Sequence, residues 1–300
     1  MVELLLKRYL WLIDTLKRNG ELTFEEISEK WETSTVNDNG SVLTKRTFYN
    51  HCQAIARHFG IDIECRRGRG LNLYRIVNPE VVEENSLTKW ALDSFAIGEL
   101  LLGNAGISEK ILLEDIPSGR EWLEPILTAL QQNREIKLTY ENFVGIKFSG
   151  TVQPLCVKLF KRRWYVLTQL PDGRRRIFSL DRIQLLEVTA NQFDYPSDFV
   201  PVDYFHDVFG IIAGTESKIE NILLRTYSEL PGYLRSLPLH HSQQELETKD
   251  GYTDFSLCLI PTFDFIQELL LHRDQLEVLQ PQSLRDEMLE LISKMKNQYE

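Results

Sequence analysis

Along residues 3–19, Leu5, Leu6, Tyr9, Leu12, Ile13 and Leu16 recur at the three-and-four spacing of one helix face, and Asn19-Gly20 ends the run. Thr23 followed by Glu26 has the form of a capping box, which predicts a second helix to about Trp31 that buries Phe24, Ile27 and Trp31. The polar stretch "ETSTVNDNGSVL" reads as a loop. A third helix is expected from about Thr44 to Phe59, with Phe48, Cys52, Ile55 and Phe59 as its apolar stripe and Gly60 as its stop. "IDIECRR" and "LNLYRIV" then alternate like two strands, joined by a turn around Gly68-Arg69-Gly70.

Residues 86–105 return to a helical pattern, with Leu87, Trp90, Ala91, Phe95, Leu100 and Leu101 on a face suited to a connector or dimerisation helix. "KILLEDIPSG" reads as a short apolar strand and a turn. Ser118 with Glu121 predicts the start of another helix, whose apolar face is Trp122, Leu123, Ile126, Leu127 and Leu130. After Asn133 the period changes to that of strands: "IKLTYE", "KFSGTVQPLCV", "RRWYVLTQL", "RRRIFSL" and "RIQLLEV", with a Pro-Asp-Gly turn before the fourth. A helix leading into five short strands suggests a small Sm-like or SH3-like barrel. In the last hundred residues the pattern gives a strand ("ESKIENILLRTY"), a short helix ("ELPGYLRSLP") and a hairpin turning at Asp250-Gly251. A helix ("TFDFIQELLLH"), a strand ("DQLEVLQP") and a helix over 281–299 complete it.

The expected fold is therefore α+β and multidomain. A winged helix-turn-helix covers 1–80, a helical linker 81–117, the barrel 118–195, and a small α+β sandwich 203–300. Three hundred residues with 43% hydrophobic content suffice for a core in each domain. No run of eighteen apolar residues is present, and Lys7, Arg8 and Asp14 interrupt the apolar start, so neither a transmembrane helix nor a signal peptide is expected. Four dispersed cysteines without a CxxC pair, and six histidines without ligand spacing, fit a cytosolic protein with no metal or cofactor.

The net charge of −10 hides an asymmetry: residues 203–300 carry −9, whereas residues 1–80 carry +1. The local basic face matters more than the total. Lys45, Arg46, Thr47, Tyr49, Asn50 and Gln53 on the third helix are all phosphate or base-edge partners, and Arg66, Arg67 and Arg69 at the wing tip can hold flanking phosphates. These nine residues are the candidate interface with a double-stranded DNA operator. An amphipathic helix with a solvated basic face is the plainer alternative. The acidic last domain is unsuited to DNA and fits oligomerisation or regulation; Asp264 and Glu268 share a helix face there without any sign of catalysis.

Trp164-Tyr165-Val166 with Leu167, followed by "FSLDRI" at 178–183, resembles the signature of WYL-domain transcriptional regulators, with Val166 in the third motif position. "KRTFYNHCQAIARHFGIDIEC", "EDIPSG" and "LTYENF" also resemble members of that family, and the last domain resembles the extension that often follows the WYL domain. The resemblance implies a homodimer whose middle domain senses a ligand of single-stranded nucleic-acid or oligonucleotide type. Alternation places Tyr165 and Leu167 on one strand face and Trp164 and Val166 on the other, so one aromatic is expected in the core. Arg174, Arg175, Arg176 and Arg182 lie on neighbouring strands and can converge near the exposed aromatic, giving bidentate phosphate donors beside a stacking face. Tyr165, Arg176, Ser179 and Arg182 are the candidate ligand residues; Arg162 and Arg163 are weaker. Arginines that are solvated or paired with Asp172, Asp181 and Glu187 are the alternative.

The sequence thus points to a cytosolic, ligand-responsive, DNA-binding regulator that is not an enzyme. Its rivals are a nucleic-acid-processing enzyme or a subunit of a defence complex, and a module whose basic strands bind a protein. No Ser/His/Asp, Cys/His, Walker or nuclease carboxylate pattern favours catalysis.

Overall fold

The computed structural model describes residues 2–34, 37, 40–68, 70–82, 90, 94, 110, 112, 119–214 and 218–300. Two compact units are present, Met1–Leu113 and Glu114–Glu300. The helix expected over 86–105, the strand in "KILLEDIPSG" and the Ser118 cap lie outside the described residues, single positions apart.

The first unit contains α1 (Val2–Asn19), β1 (Leu22–Thr23), α2 (Phe24–Glu32), α3 (Lys45–Phe59), β2 (Ile63–Gly68) and β3 (Leu71–Ile76). The capping box forms: the Thr23 hydroxyl accepts from the Glu26 N–H, and the Glu26 carboxylate accepts from the Thr23 N–H at 2.7 Å. Thr44 caps α3 by accepting from the Thr47 N–H, and Gly60 ends it in the left-handed region at φ 64°, where a side chain would be strained. Leu12, Ile13, Leu16, Ile27, Trp31, Phe48, Ile55 and Tyr74 form one core. The antiparallel sheet has the order β1-β3-β2. β1 was not expected, because two residues carry no readable period.

The second unit opens with a 3₁₀ turn (Arg120–Trp122) and α4 (Leu123–Gln131). Five strands follow: β4 (Arg134–Glu141), β5 (Lys147–Phe160), β6 (Arg163–Gln169), β7 (Arg175–Ser179) and β8 (Ile183–Gln192). They pair antiparallel in the order β7-β6-β5-β4-β8. A closed Sm-like or SH3-like barrel, as expected from the strand count, does not form. β7 runs straight into a 3₁₀ turn at Leu180–Arg182, and β8 leaves it alongside β4, where Ile183 pairs with Tyr140. Closure needs the two end strands hydrogen-bonded to each other, and β7 and β8 are not paired.

β6 is covered on both faces. Val166 packs with Ile126 and Phe178 on one side, and Leu167 with Leu155, Phe193 and Phe199 on the other. After α5 (Pro201–His206) come β9 (Glu220–Tyr227), α6 (Leu230–Ser236), β10 (Gln244–Lys249), β11 (Tyr252–Leu259), α7 (Phe263–Leu271), β12 (Leu276–Gln280) and α8 (Gln282–Asn297). The order β10-β11-β9-β12 is that of a split βαββαβ unit, with a core of Ile222, Leu224, Phe255, Leu257, Phe265, Leu269 and Leu284. Glu268 on α7 pairs with Lys161 at 2.6 Å, tying the β5–β6 hairpin tip to this last layer.

Candidate nucleic-acid interface

Helical periodicity sends Phe48 and Ile55 of α3 into the core, both fully buried, and so turns Arg46, Asn50, Gln53 and Arg57 outward. These four side chains make no hydrogen bond, ion pair or ring contact among the described residues. Lys45 is less available: it lies 3.5 Å from Glu25 and 5.3 Å from the centre of the Phe24 ring. Thr47 is bonded to Thr44, and the Tyr49 hydroxyl lies 2.9 Å from that of Tyr74. On the hairpin, Arg66 and Arg75 approach Glu21 at 3.5 and 3.3 Å, exposed pairs worth little, and Arg67 is uncommitted. Arg69 lies outside the described residues. Behind this face His51 is buried edge-on to Tyr9, and burial, helped by nearby Arg8, lowers its pKa to about 4.

In the second unit most of the cations in "KRRWYVLTQLPDGRRRIFSL" are already matched. Arg163 pairs with Asp181 at 2.5 Å, Arg174 with Asp172 at 2.7 Å, and Arg175 stacks over Phe199 at 4.7 Å. Lys161 and Arg162 form the two-residue β5–β6 turn at φ 46° and 65°. Arg176 and Arg182 are different. Arg176 sits over Phe148 at 4.9 Å and Phe178 at 5.0 Å, and Arg182 over Phe143 at 4.5 Å and Tyr140 at 5.7 Å. The Arg182 Nε is buried with no hydrogen-bond partner among the described residues. Rings beneath a guanidinium hold it in place at the surface of the sheet.

The turn that carries Arg182 is braced from below. Gly119, at φ 62°, presses on it so closely that a Cβ would lie 2.2 Å from the Leu180 carbonyl carbon. The Trp122 indole donates to the Ile183 carbonyl at 3.1 Å, and Ser179 donates to Asp181. Tyr165 and Ser179 are in register across β6 and β7 but are only 8% and 1% exposed. They stand behind Arg182 rather than at the surface, so Tyr165 is not the stacking face expected from alternation. Its strand is covered twice, which a period of two cannot reveal. Burial raises the pKa of Tyr140 and Tyr165, and the charge of Arg182 opposes the rise at both.

The exposed aromatic is Phe143, at 77%, in a loop where the Asn142 side-chain oxygen accepts from the N–H groups of Val144 and Ile146. Sequence reasoning passed over Phe143 and Phe148. "YENFVGIKF" could have revealed them, since it sets three aromatics around an Asn-x-x-Gly turn. A polar cavity of about 550 Å³ lined by Gln132, Asn133, Gln153, Gln192, Phe193 and Asp194 lies at the opposite end of the β4–β8 pair and includes none of these residues.

These features define a multidomain α+β protein with two cationic surfaces, one on a helix and one on an antiparallel sheet. Residues 121–188 match the WYL domain and residues 219–296 the WCX domain, so the chain carries a WYL domain followed by a WCX domain. No curated protein sequence matches it. Among solved structures it is similar to proteasome accessory factor B/C (PafBC) of Arthrobacter aurescens, with 18% identity and a TM-score of 0.38, over 94% of this chain and 45% of that one. It is also similar to a CRISPR Cas-related protein, with 11% identity and a TM-score of 0.40, over 92% of this chain and 76% of that one. The chain thus spans less than half the length of PafBC.

Proposed function

We propose that this protein is a cytoplasmic, ligand-responsive DNA-binding transcriptional regulator that acts as a homodimer and is not an enzyme. The first unit serves as a winged helix-turn-helix, with α3 in the major groove and the β2–β3 hairpin as the wing. The single observation that supports this best is the uncommitted Arg46–Asn50–Gln53–Arg57 face opposite buried Phe48 and Ile55. The WYL sheet, in this reading a variant of the Sm-like fold, senses a single-stranded nucleic-acid or nucleotide-type anion. Arg176 and Arg182 take the phosphates, and Phe143 offers a stacking face. To regulate, the ligand must bind two conformations of the protein with different affinity.

Footprinting on DNA upstream of the protein's own coding sequence tests the first half. Arg46→Ala with Asn50→Ala should remove the footprint at fixed salt while the unfolding curve stays put, since each base contact is worth about 1–3 kcal/mol. An unchanged footprint overturns the assignment of α3.

A further inference from the structure

One link in the first unit is not used by this reading. Tyr74 on β3 is 5% exposed, and its ring packs edge-on against Phe48 with centroids 4.7 Å apart. Tyr49, at 50% exposure, belongs to α3, and the two hydroxyl oxygens are 2.9 Å apart. Helical spacing puts Tyr49 on the flank of the Arg46–Asn50–Gln53 face, and the bond to Tyr74 shows that this flank is the one toward the hairpin. A duplex read by α3 and held by the hairpin passes its backbone over this junction.

By distance alone either hydroxyl could be the donor across this link. Each phenol has one proton to donate and an oxygen that accepts. Tyr74 has little access to water, and its other polar neighbour is Cys65, its register partner on β2, whose sulfur is a weak acceptor. Giving the Tyr74 proton to the Tyr49 oxygen matches the more buried phenol with the better acceptor. In that arrangement the Tyr49 proton has no acceptor among the described residues.

We infer that Tyr49 donates this proton to a DNA phosphate oxygen at the helix–hairpin junction, and that Tyr74 is a positioning residue that fixes the rotation of the Tyr49 hydroxyl. The inference rests on the DNA-binding reading and deepens it. A phosphate contact is blind to sequence, so a labelled random-sequence duplex is the correct probe, with fluorescence anisotropy at several salt concentrations as the readout.

Tyr49→Phe should weaken binding roughly three- to tenfold, the loss of one hydrogen bond, with an unchanged salt slope because no charge is removed. Tyr74→Phe should weaken it by no more than that. The double variant should be no weaker than Tyr49→Phe alone, since Tyr74 acts only through Tyr49. Arg46→Ala separates the two readings. If it weakens binding while Tyr49→Phe binds like the parent, the DNA reading stands and this inference falls. If the parent chain does not bind the duplex, both fall. If the Tyr49 and Tyr74 losses add, Tyr74 is a structural residue and the positioning role is overturned. Tyr49 is half exposed, so its variant folds and keeps the test decisive even if Tyr74→Phe lowers the melting temperature.

Discussion

The arginines of α3 and those of the WYL sheet are held in opposite ways. Arg46 and Arg57 project from a helix whose other side is core, and they touch nothing among the described residues. Arg176 and Arg182 lie half-buried on aromatic rings, one of which, Phe178, is itself fully buried. An extended polyanion can be met by solvated cations, because counterion release supplies much of the affinity. A small anion offers few contacts, so its cations must already be in place. The two surfaces therefore suit ligands of different size, and the rings under the second set are what fix it.

The largest test of this contrast is Phe178→Ala. Phe178 supports Arg176 from below at 5.0 Å and meets Tyr140 at 5.0 Å and Phe148 at 5.1 Å. Emptying that site should cost about 3–5 kcal/mol. Hydrogen exchange across β6 and β7 should show it, with the α3 amides as the reference. A cost below about 1 kcal/mol would mean that the rings are not part of the core, and that the arginines above them are effectively solvated.

Much of this was legible in the sequence. Thr23 and Glu26, Thr44 and Gly60 mark helix ends by local chemistry, and the structure places the ends there. Strands β4 and β9 alternate in burial as expected, whereas β6 is buried at four consecutive residues. Arg176 and Arg182, chosen as phosphate donors beside the exposed aromatic of the Trp-Tyr pair, lie instead over Phe148, Phe178, Tyr140 and Phe143. What failed depended on distant parts of the chain. Phe193 and Phe199 arrive after the last strand and cover Leu167 on the second face of β6, and Tyr165 on the same strand is 8% exposed. Barrel closure depends on which edges pair, and hydropathy along single strands carries no information on that. Phe143 was passed over in the sequence, and the fold brings it beside Arg182.

Acid sharpens the contrast from the inner side of α3. His51, edge-on to Tyr9 and near Arg8, is held down to a pKa of about 4, mainly by burial. In the unfolded chain a histidine titrates near 6.5. Between these values the unfolded state binds more protons, so stability is complete above about pH 6.5 and falls as pH drops toward about 4, by about 3 kcal/mol in all. His240 and His272 are lowered by burial as well, so the second unit weakens in the same direction and probes in α3 are needed to assign the effect. Denaturant unfolding read at α3 should lose stability between pH 7 and pH 5, and His51→Leu should flatten that dependence. A dependence that survives the substitution has another source.

The smallest expected effect is the one that best separates a functional arginine from a structural one. Arg46→Ala removes an exposed, uncommitted side chain, so the stability change should stay within about 0.5 kcal/mol. Arg176→Ala removes a guanidinium from two rings, Phe148 and buried Phe178, and should cost about 1–2 kcal/mol. Arg182 has two opposing contributions. Its contact with Phe143 is solvent-facing, since that ring is 77% exposed, and Tyr140 lies at 5.7 Å, near the limit of useful range. Against these weak attractions stands the buried, unpartnered Nε, a penalty of about 1–3 kcal/mol that the substitution relieves. The net for Arg182→Ala should lie within about 1 kcal/mol of zero, and on the stabilising side if the Nε penalty dominates. The same variant should lose binding of short single-stranded oligonucleotides by the full chain, because it removes the guanidinium charge proposed to meet the phosphate. Unfolding curves and an oligonucleotide titration of one protein sample give both numbers. A stability loss above about 2 kcal/mol would assign Arg182 to the scaffold and move the sensing site elsewhere.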